Sequence, residues 1–315
     1  MPQLITIGET MTAFTPSTSG ALRYIRDYSM RIAGAESNTA IGVAKLGFHA
    51  GWISRIGDDE FGQFMLNSIR AEGVDCSKVK IDERYATGIM FKEMTARETK
   101  VFYYRDHSAA SHLQPEDVDE TYLSSAKILH LSGITPVLSE SCLETVRYAV
   151  ELAKRHHVRI SFDPNIRKKL WKGNDYSDVI RQLTLESDVI LMGLDEAETL
   201  FSTSDIQKIS GIILEKNPNA WIAMKDGAKG SVVICQDKMA SIPTHPCKCI
   251  EPIGAGDAFN AGFLCGILEN KGIELCGKMG NICGALATES IGDIEGYPSM
   301  TKLLSELNGK EETYR

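Results

Sequence analysis

The chain alternates between short, largely apolar runs and longer stretches whose apolar residues recur at helical spacing. Such runs, bounded by polar turns, are typical of buried strands, and the stretches between them predict helices. The predicted strands cover residues 4–7, 52–56, 128–131, 159–162, 189–192 and 221–225, and the later predicted helices cover 140–156, 175–186, 205–216, 257–270 and 274–290. This alternation predicts an α/β fold with a doubly wound, mostly parallel sheet and helices on both faces.

Two earlier segments have a different pattern. Residues 12–32 and 87–105 carry alternating apolar and polar residues, and polar residues 93–99 separate two such runs in the second segment. Alternation with a period of two predicts partly exposed strands. We therefore expect these segments to form a small second sheet, a β-lid over a cleft. Because no linker rich in proline, glycine or serine interrupts the chain, residues 1–315 are predicted to form a single domain with this lid.

Composition restricts the partners that the chain could have. It has 315 residues, of which 43% are hydrophobic and 24% charged, with a net charge of −8. An acidic chain is poorly suited to bind nucleic acid or an anionic membrane. The N-terminal residues have neither the basic nor the long apolar region of a secretory signal, so none is expected, and no apolar run approaches the length of a membrane span. Cys247 and Cys249 have no second pair at zinc spacing, so reduced thiols in a cytoplasmic protein are expected.

Polar residues follow or end several of the predicted strands. Glu9 follows the first strand, Asp163 and Asn165 follow the strand at 159–162, and Glu196 and Lys225 stand at the ends of the next two. In open parallel sheets, ligands bind beyond the carboxyl ends of the strands. Polar residues are expected at strand ends in any α/β protein, so each position alone means little. Together they predict a ligand site at this edge of the sheet.

Residues 250–263 contain a Gly-Ala-Gly-Asp turn that precedes an apolar, helical run. The small side chains of Gly254, Ala255 and Gly256 let backbone amides converge, and a helix N-terminus attracts anions. Asp257 is unexpected there, since a carboxylate repels phosphate. It is explained if it accepts a proton from a hydroxyl that attacks the phosphate. The alternative is an acidic first turn that only interacts with the helix dipole.

A second small-residue turn, Ala33-Gly34, precedes Asn38 at the start of another helical run. Together with the later Gly-Ala-Gly-Asp turn, it resembles the ribokinase (PfkB) family of sugar kinases over residues 3 to about 305. The resemblance implies a ribokinase-like fold and transfer of the γ-phosphoryl group of ATP, with Mg²⁺, to a primary sugar hydroxyl. It also implies that Asp257 is the catalytic base and that the amides of Gly254, Ala255 and Gly256 form an anion hole.

Within that family, residues 34–38, 103–111, 161–171 and 292–298 resemble the kinases of a sugar acid, 2-keto-3-deoxygluconate. A guanidinium binds such a carboxylate as a planar fork, and Arg105 and Arg167 are predicted to supply it. Pairing of these arginines with Glu36 or Asp163 is the alternative. Tyr103 is expected to donate its hydroxyl to the sugar. The predicted substrate site comprises Glu9, Gly34, Asn38, Tyr103, Arg105, Asn165, Arg167 and Asp257.

The resemblance implies a nucleotide site and leaves a cation site open. Glu196 retains the acid of the family's Asn-x-x-Glu motif, although Gly193 replaces the asparagine, and would hold Mg²⁺ through water. Glu251 stands where aspartate is commoner, so ligation of a monovalent cation there is open. Family members often pair through their lids, which makes a homodimer or higher homo-oligomer an expectation. The implied nucleotide site comprises Glu196, Lys225, Gly227, Gly230, Gly254, Ala255, Gly256, Asn281 and Ala285.

Three other functions are alternatives to a sugar-acid kinase. A sibling kinase would act on fructose, 5-keto-2-deoxygluconate or a nucleoside. A non-catalytic sensor of a sugar acid would have no need of a base at Asp257. A Rossmann dehydrogenase would need Gly-x-Gly-x-x-Gly after the first strand, where residues 8–11 have the sequence GETM. The sequence therefore favours a kinase that takes a small sugar acid and ATP.

Overall fold

The computed structural model describes residues 1–95 and 99–309, which form two sheets flanked by helices. The strands are β1 (Leu4–Ile7), β2 (Met11–Pro16), β3 (Tyr28–Ala33), β4 (Ala50–Gly57), β5 (Val79–Asp82), β6 (Ile89–Met94), β7 (Thr99–Tyr104), β8 (Ile128–Ser132), β9 (Arg159–Asp163), β10 (Val189–Gly193), β11 (Trp221–Lys225), β12 (Ser231–Cys235) and β13 (Lys238–Ile242). The helices are α1 (Ala35–Lys45), α2 (Glu60–Ala71), α3 (Glu120–Ser124), α4 (Glu140–Arg155), α5 (Ser177–Leu185), α6 (Leu194–Phe201), α7 (Ile206–Lys216), α8 (Ala255–Leu268), α9 (Ile273–Ala287) and α10 (Met300–Leu307).

The larger sheet has nine strands in the order β13-β12-β11-β10-β9-β8-β1-β4-β5. Strand β1 pairs in parallel with both β4 and β8, whereas β12 and β13 are antiparallel to their neighbours. The chain therefore builds outward from β1 in one direction and later, from β8, in the other. This reversal opens a crevice at the carboxyl ends of β1 and β8. The prediction of a doubly wound, mostly parallel sheet is confirmed.

Two apolar cores cover the two faces of this sheet. Because side chains alternate along a strand, Leu4 packs into one core while Ile5 and Ile7 pack into the other. Helices α1, α2, α8, α9 and α10 contribute to the first core, and α3 to α7 contribute to the second. Their packing holds the N-terminus of α8 beside the strand-end crevice. Among the described residues, no helix is long and apolar enough to cross a membrane.

The smaller sheet, called the lid sheet below, has the order β3-β2-β6-β7. Its strands lie in or directly beside the segments 12–32 and 87–105, of which residues 96–98 fall outside the described residues. One face buries a small apolar cluster that includes Met11, Ala13 and Met90. The other face carries aromatic residues, among them Phe14 and Phe91, whose rings stack with centroids 4.7 Å apart. The sheet thus has one face for the cleft and one outer face.

The structure adds elements that the sequence pattern does not predict. Helix α6 begins at Leu194, where the pattern predicts only a turn, because the Glu196 carboxylate accepts a hydrogen bond from the Gly193 amide and caps the helix. Helix α10 begins after Ser299, whose side chain accepts from the Lys302 amide. Strand β5 is a half-exposed edge strand of four residues. Such short elements are stabilised mainly by their caps and neighbours.

Candidate active site

A cavity of about 270 Å³ lies between the lid sheet and the carboxyl ends of β1 and β8. We call it the lid cavity. Its apolar wall includes Met11 and Met90 from the lid sheet and Ile134 from the loop after β8. It is also lined by every residue predicted to bind the substrate: Glu9, Gly34, Asn38, Tyr103, Arg105, Asn165, Arg167 and Asp257. The structure therefore brings these residues together, while their contacts to a ligand stay predictions.

A second cavity of about 300 Å³ adjoins the first, and we call it the strand-end cavity. Its wall includes Asp163 and Lys225 from the ends of β9 and β11, Glu196 from the first turn of α6 and Gly256 from the start of α8. The two cavities share five residues, namely Asn165, Arg167, Ile253, Gly254 and Asp257. Two ligands could therefore occupy adjacent cavities and meet at Asp257.

The start of α8 has the geometry of an anion site. Gly254 caps the helix with φ of 82°, a left-handed conformation that favours glycine. Its carbonyl accepts hydrogen bonds from the Ala258 amide at 2.9 Å and from the Tyr297 hydroxyl at 2.9 Å. The first amides of a helix have no acceptor within the helix. With the small side chains of Ala255 and Gly256, this end of α8 can approach a phosphate closely.

Asp257 lies in the first turn of α8 and is held by Asn38, whose Nδ2 donates to its Oδ2 at 2.9 Å. Removal from water raises the pKa of Asp257 from its ordinary 3.8 to about 7, and the nearby carboxylates of Asp163 and Asp293 also raise it. The Asn38 hydrogen bond and the Lys225 ammonium act in the opposite direction. A carboxylate with this pKa can take up a proton near neutral pH.

Lys225 is anchored at the strand-end cavity by its neighbours. Its Nζ lies 2.9 Å from Asp163 Oδ2, and Asn260 Nδ2 donates to the same oxygen at 2.6 Å. Burial alone would raise the pKa of Asp163, but Lys225 and Asn260 outweigh it and lower the pKa. Burial alone would lower the pKa of Lys225, but the charges of Asp163 and Glu196 outweigh it and raise the pKa, so the ammonium is charged. It lies next to Gly256, where it can interact with a phosphate. Sequence reasoning missed Asn260, which lies one helical turn after Gly256.

Glu196 joins two strand ends through its carboxylate. Its Oε1 accepts from the Ile166 amide and its Oε2 from the Gly193 amide, both at 2.8 Å. Burial raises its pKa, and so does the charge of Asp163. Each oxygen keeps a lone pair, so the group can still accept from water. Within residues 1–95 and 99–309, no cluster of three or more His, Cys, Asp or Glu side chains could hold a metal by itself.

Arg105 and Arg167 differ in their surroundings. Arg105 is buried, and its Nε and Nη2 both bind Glu9 Oε2, the former at 2.7 Å. Ser108 Oγ donates to the other oxygen of Glu9 at 2.5 Å. Arg167 is exposed and bonds only weakly to the Ile166 carbonyl, at 3.4 Å. Neither arginine forms the predicted alternative pair with Glu36 or Asp163 among the described contacts, and Arg105 is instead paired with Glu9.

The remaining residues of the implied nucleotide site lie outside both cavities. Asn281 Nδ2 donates to the carbonyls of Ile242 and Pro243, at 3.1 and 2.9 Å. Gly230 has φ of 96°, and a side chain there would collide with the Ile242 carbonyl. The observed contacts of Asn281 and Gly230 therefore position the chain after β13. Contacts of Asn281, Ala285, Gly227 and Gly230 with a nucleotide stay predictions.

The structure also reveals a buried ion cluster that sequence reasoning missed. Lys92 of β6 lines the lid cavity, and its Nζ lies 3.2 Å from Glu251 Oε1 and 3.0 Å from Asp293 Oδ1. The alternation of β6 could have signalled it, because Lys92 shares a strand face with Met90, which also lines the lid cavity. A lysine on the cleft side of a lid strand is unusual and calls for a partner.

Comparisons with known proteins give relatives over nearly the whole length of the chain. The pfkB family carbohydrate kinase model matches residues 1–300. The chain is 32% identical to 2-dehydro-3-deoxygluconokinase of Bacillus subtilis (strain 168) over 315 residues, 99% of this chain and 97% of that one. It is 29% identical to 5-dehydro-2-deoxygluconokinase of the same strain over 281 residues, 88% and 86% of the two chains.

Among solved structures, an uncharacterized sugar kinase from Pyrococcus horikoshii in complex with ATP is 27% identical, with a TM-score of 0.84 and coverage of 96% of this chain and 97% of that one. The match of a family model to most of the chain and the identity to a full-length relative lead to the same conclusion. The family resemblance inferred from the sequence is confirmed, and the chain belongs to the PfkB family of carbohydrate kinases.

Proposed function

We propose that this protein transfers the γ-phosphoryl group of Mg-ATP to the primary hydroxyl of 2-keto-3-deoxygluconate, giving 2-keto-3-deoxy-6-phosphogluconate. The observation that carries the kinase chemistry is Asp257, which stands between two adjoining cavities at the N-terminus of a helix. The full-length relative from Bacillus subtilis supports the choice of substrate, since 2-dehydro-3-deoxygluconate is another name for the same sugar acid.

In the proposed reaction, the sugar occupies the lid cavity and the phosphates of ATP enter the strand-end cavity. Asp257 accepts the proton of the attacking hydroxyl, whose oxygen forms a bond to the γ-phosphorus as the bond to the β–γ bridging oxygen breaks. The amides at Gly254 to Gly256 and the Lys225 ammonium stabilise the negative charge on the transferred group. The lid sheet excludes water, which would otherwise compete as acceptor.

The strand-end cavity suits a magnesium nucleotide. A solved relative from Pyrococcus horikoshii holds ATP, which supports ATP as donor here. Mg²⁺ prefers oxygen ligands and keeps several waters, so it needs few protein groups besides the phosphates. Glu196 and Asp163 are the carboxylates that would hold it, through water. Bound Mg²⁺ neutralises charge on the phosphates.

The carboxylate of the sugar acid is proposed to bind Arg167, with Arg105 as a second partner. Arg167 is exposed and lines both cavities, so its guanidinium fork is accessible to a ligand. Arg105 has two nitrogens engaged by Glu9, and its Nη1 has no partner among the described residues. The ring of Tyr103 lies below this guanidinium, 5.8 Å from Cζ to the ring centroid. A neutral hexose would not require two arginines.

A panel of acceptors tests this proposal. ADP release from Mg-ATP would be measured with 2-keto-3-deoxygluconate, its galactonate epimer, 5-keto-2-deoxygluconate, fructose, ribose and adenosine. We expect turnover to be concentrated on the two keto-deoxy epimers. Turnover on fructose or ribose alone would retain Asp257 as base but contradict the role of the arginines. Turnover on 5-keto-2-deoxygluconate would favour the activity named for the second Bacillus relative.

Replacement of Arg167 by alanine should separate the acid from neutral acceptors. Loss of one guanidinium–carboxylate contact of about 1.4 to 2.7 kcal/mol predicts a KM for the keto-deoxy acid raised about 10- to 100-fold. The KM for ATP should change little if the contact is to the sugar acid. Steady-state kinetics with both substrates varied measures this, and Lys168→Ala on the next residue is the matched control. Equal effects of both variants would contradict the assignment.

The raised pKa of Asp257 predicts a pH dependence. The base must be ionised to accept a proton, so kcat/KM for the sugar acid should fall as pH decreases through about 7, the pKa of Asp257. The limiting slope on the acid side should be about tenfold per pH unit, with a plateau above pH 8. Initial rates from pH 5 to 9 measure it, alongside ATP affinity at each pH. A profile that is flat from pH 5 to 8 would contradict Asp257 as the base.

Association through the lid sheet is proposed as the oligomeric state. The outer face of this sheet exposes apolar side chains, including Tyr104 with 61% of its surface accessible, Phe102 and Met30. Burial of such a face in a second copy would be favourable. Light scattering should give about twice the mass of one chain, and Tyr104→Glu should reduce it to the monomer.

A cytoplasmic location is likewise proposed, and fractionation of cells tests it.

A further inference from the structure

Lys92 is a lysine whose side chain is only 1% exposed. It stands on β6 of the lid sheet, and it lines the lid cavity together with Met90 of the same strand. Its ammonium contacts two carboxylates, Glu251 and Asp293, at 3.2 and 3.0 Å. A lysine this deeply buried is rare without partners, because loss of hydration is costly. The cluster therefore warrants a functional explanation.

The two carboxylates belong to segments that form the anion site. Glu251 lies three residues before Gly254, and its second oxygen accepts from the Gly292 amide at 2.8 Å. Asp293 packs against Gly254 through its carbonyl oxygen, so closely that a side chain at Gly254 would collide with it. The Lys92 ammonium thus joins three segments: the lid sheet, the chain before α8 and the loop after α9.

The cluster also reaches the proposed catalytic base. Asp293 Oδ2 accepts from Asn38 Nδ2 at 3.4 Å, and the same Nδ2 donates to Asp257 at 2.9 Å. A chain of polar contacts therefore runs from Lys92 through Asp293 and Asn38 to Asp257. The ammonium and the proposed base are therefore linked through two intervening side chains, Asp293 and Asn38.

Electrostatics gives the ammonium a second role. Burial would lower the pKa of Lys92, but the charges of Asp293 and Glu251 outweigh it and raise the pKa, so the group is charged. Without this charge, two buried carboxylates would stand beside the site that must receive the phosphates of ATP. Carboxylates and phosphates repel one another strongly in a low-dielectric environment, because their charges have the same sign. A cation at this position therefore offsets the charge of the two carboxylates next to the anion site.

We propose that Lys92 is a positioning residue that serves as a built-in monovalent cation, so that the catalytic turn is held in place by the lid itself. The inference rests on the proposed kinase function. It gives this site a specific property: turnover does not depend on a free monovalent cation, because the ammonium of Lys92 occupies the place between Glu251 and Asp293. The same ion cluster then fixes the position of the lid sheet and the position of the turn.

The first test uses the unmodified protein. Turnover of Mg-ATP and the sugar acid is measured at constant ionic strength in chloride salts of potassium, sodium, ammonium and tetramethylammonium. We expect rates that agree within about twofold, since the cation site is already filled. Activation of the unmodified enzyme several-fold by potassium or ammonium, relative to tetramethylammonium, would overturn the proposal. Absence of turnover with every acceptor would instead count against the proposed function.

The second test removes the ammonium and replaces it from solution. Lys92→Ala should lower kcat about 100-fold or more, because it leaves two carboxylates unpaired and a space beside them. Methylammonium, ammonium or potassium at about 50 to 100 mM should raise the kcat of this variant at least tenfold, and the effect should saturate. Tetramethylammonium is too large to do so. A folded variant that keeps its kcat, or one that no small cation restores, would contradict the proposal.

Two further variants guard against effects on folding alone. Arg31 of β3 also pairs with the loop after α9, at Glu295, but this pair is partly exposed. Arg31→Ala therefore breaks a lid-to-loop contact without removing the buried cation, and we expect a change in kcat below about threefold and no rescue. Lys92→Met combined with Glu251→Gln keeps the net charge of the cluster. This double variant should fold, with a thermal midpoint near that of the wild type. Its kcat should stay low and should not respond to added cations.

Discussion

Asp257→Asn should lower kcat about a thousandfold while the affinity for ATP stays within a few-fold, because a general base contributes about 10² to 10⁴ in rate. Asparagine has the same shape and can still bind Asn38, but it cannot take the proton of the attacking hydroxyl. The anion site at Gly254 to Gly256 and the Lys225 ammonium are unchanged by this substitution. Steady-state ADP release gives kcat, and calorimetry with Mg-ATP gives the affinity.

The same substitution should raise the thermal stability of the protein, although it lowers kcat. The pKa of Asp257 is about 7 in the folded protein and 3.8 ordinarily, so the folded state favours the neutral form. This contribution to stability is present below about pH 4 and is lost as pH rises through 7. Above pH 7 the wild type retains a buried carboxylate that the variant lacks. We expect a higher thermal midpoint for Asp257→Asn at pH 8, and a smaller difference at pH 5.

The two readouts together distinguish the roles of Asp257. Loss of turnover with a raised thermal midpoint at pH 8 indicates a catalytic group that is kept at a cost in stability. Loss of turnover together with a lowered midpoint or lost ATP binding would mean that Asp257 supports the structure of the turn. Wild-type turnover in Asp257→Asn would show that the base lies elsewhere.

Gly254→Ala should have the second largest effect, a loss of both stability and turnover. The backbone of Gly254 has φ of 82°, and an added methyl group would meet the carbonyl oxygen of Asp293 well inside van der Waals contact. The turn must then move away from the loop after α9, and its amides lose their common direction. We expect the free energy of unfolding to fall by about 2 kcal/mol or more and kcat to fall at least 100-fold. Denaturant unfolding and initial rates measure these two changes.

Gly256 and Gly211 provide two controls for Gly254. At Gly256 the nearest atom to an added methyl group would be Lys225 Nζ, 3.9 Å away, so Gly256→Ala should fold normally and affect mainly the KM for ATP. Gly211 in α7 has no atom within 4 Å of an added methyl group, and Gly211→Ala should be neutral or stabilising by about 0.5 to 1 kcal/mol. If Gly254→Ala behaves like Gly211→Ala, the close packing of the turn has no consequence.

The alternation of apolar runs and amphipathic stretches was sufficient to predict the sheet and its principal helices. Strands such as Val189–Gly193 are buried on both faces, so their apolar character is visible without any knowledge of neighbours. Strand β5 and helices α6 and α10 were not visible, because their stability comes from an edge pairing or a capping side chain. Local pattern predicts an element reliably only where its own residues carry most of the burial.

The residues of the candidate site also differ in whether local sequence is enough to predict them. Small residues at Gly254 to Gly256 next to Asp257 are a local signal, and the sequence alone indicated phosphate chemistry there. Ion pairing between distant residues is different. Arg105 and Glu9 lie 96 positions apart, and Lys92 and Asp293 lie 201 apart. No local pattern could predict that Glu9 would take two nitrogens of Arg105, or that a lysine of the lid sheet would pair with Glu251 and Asp293.

The sequence by itself determined the α/β architecture, the small second sheet and the small residues beside a carboxylate at the start of α8, because each depends on residues that are close along the chain. Only the tertiary structure decided which charges meet: Arg105 with Glu9, Lys225 with Asp163, and Lys92 with Glu251 and Asp293. The physical reason is that burial raises the cost of an unpaired charge, while the choice of partner depends on how the sheets and helices pack.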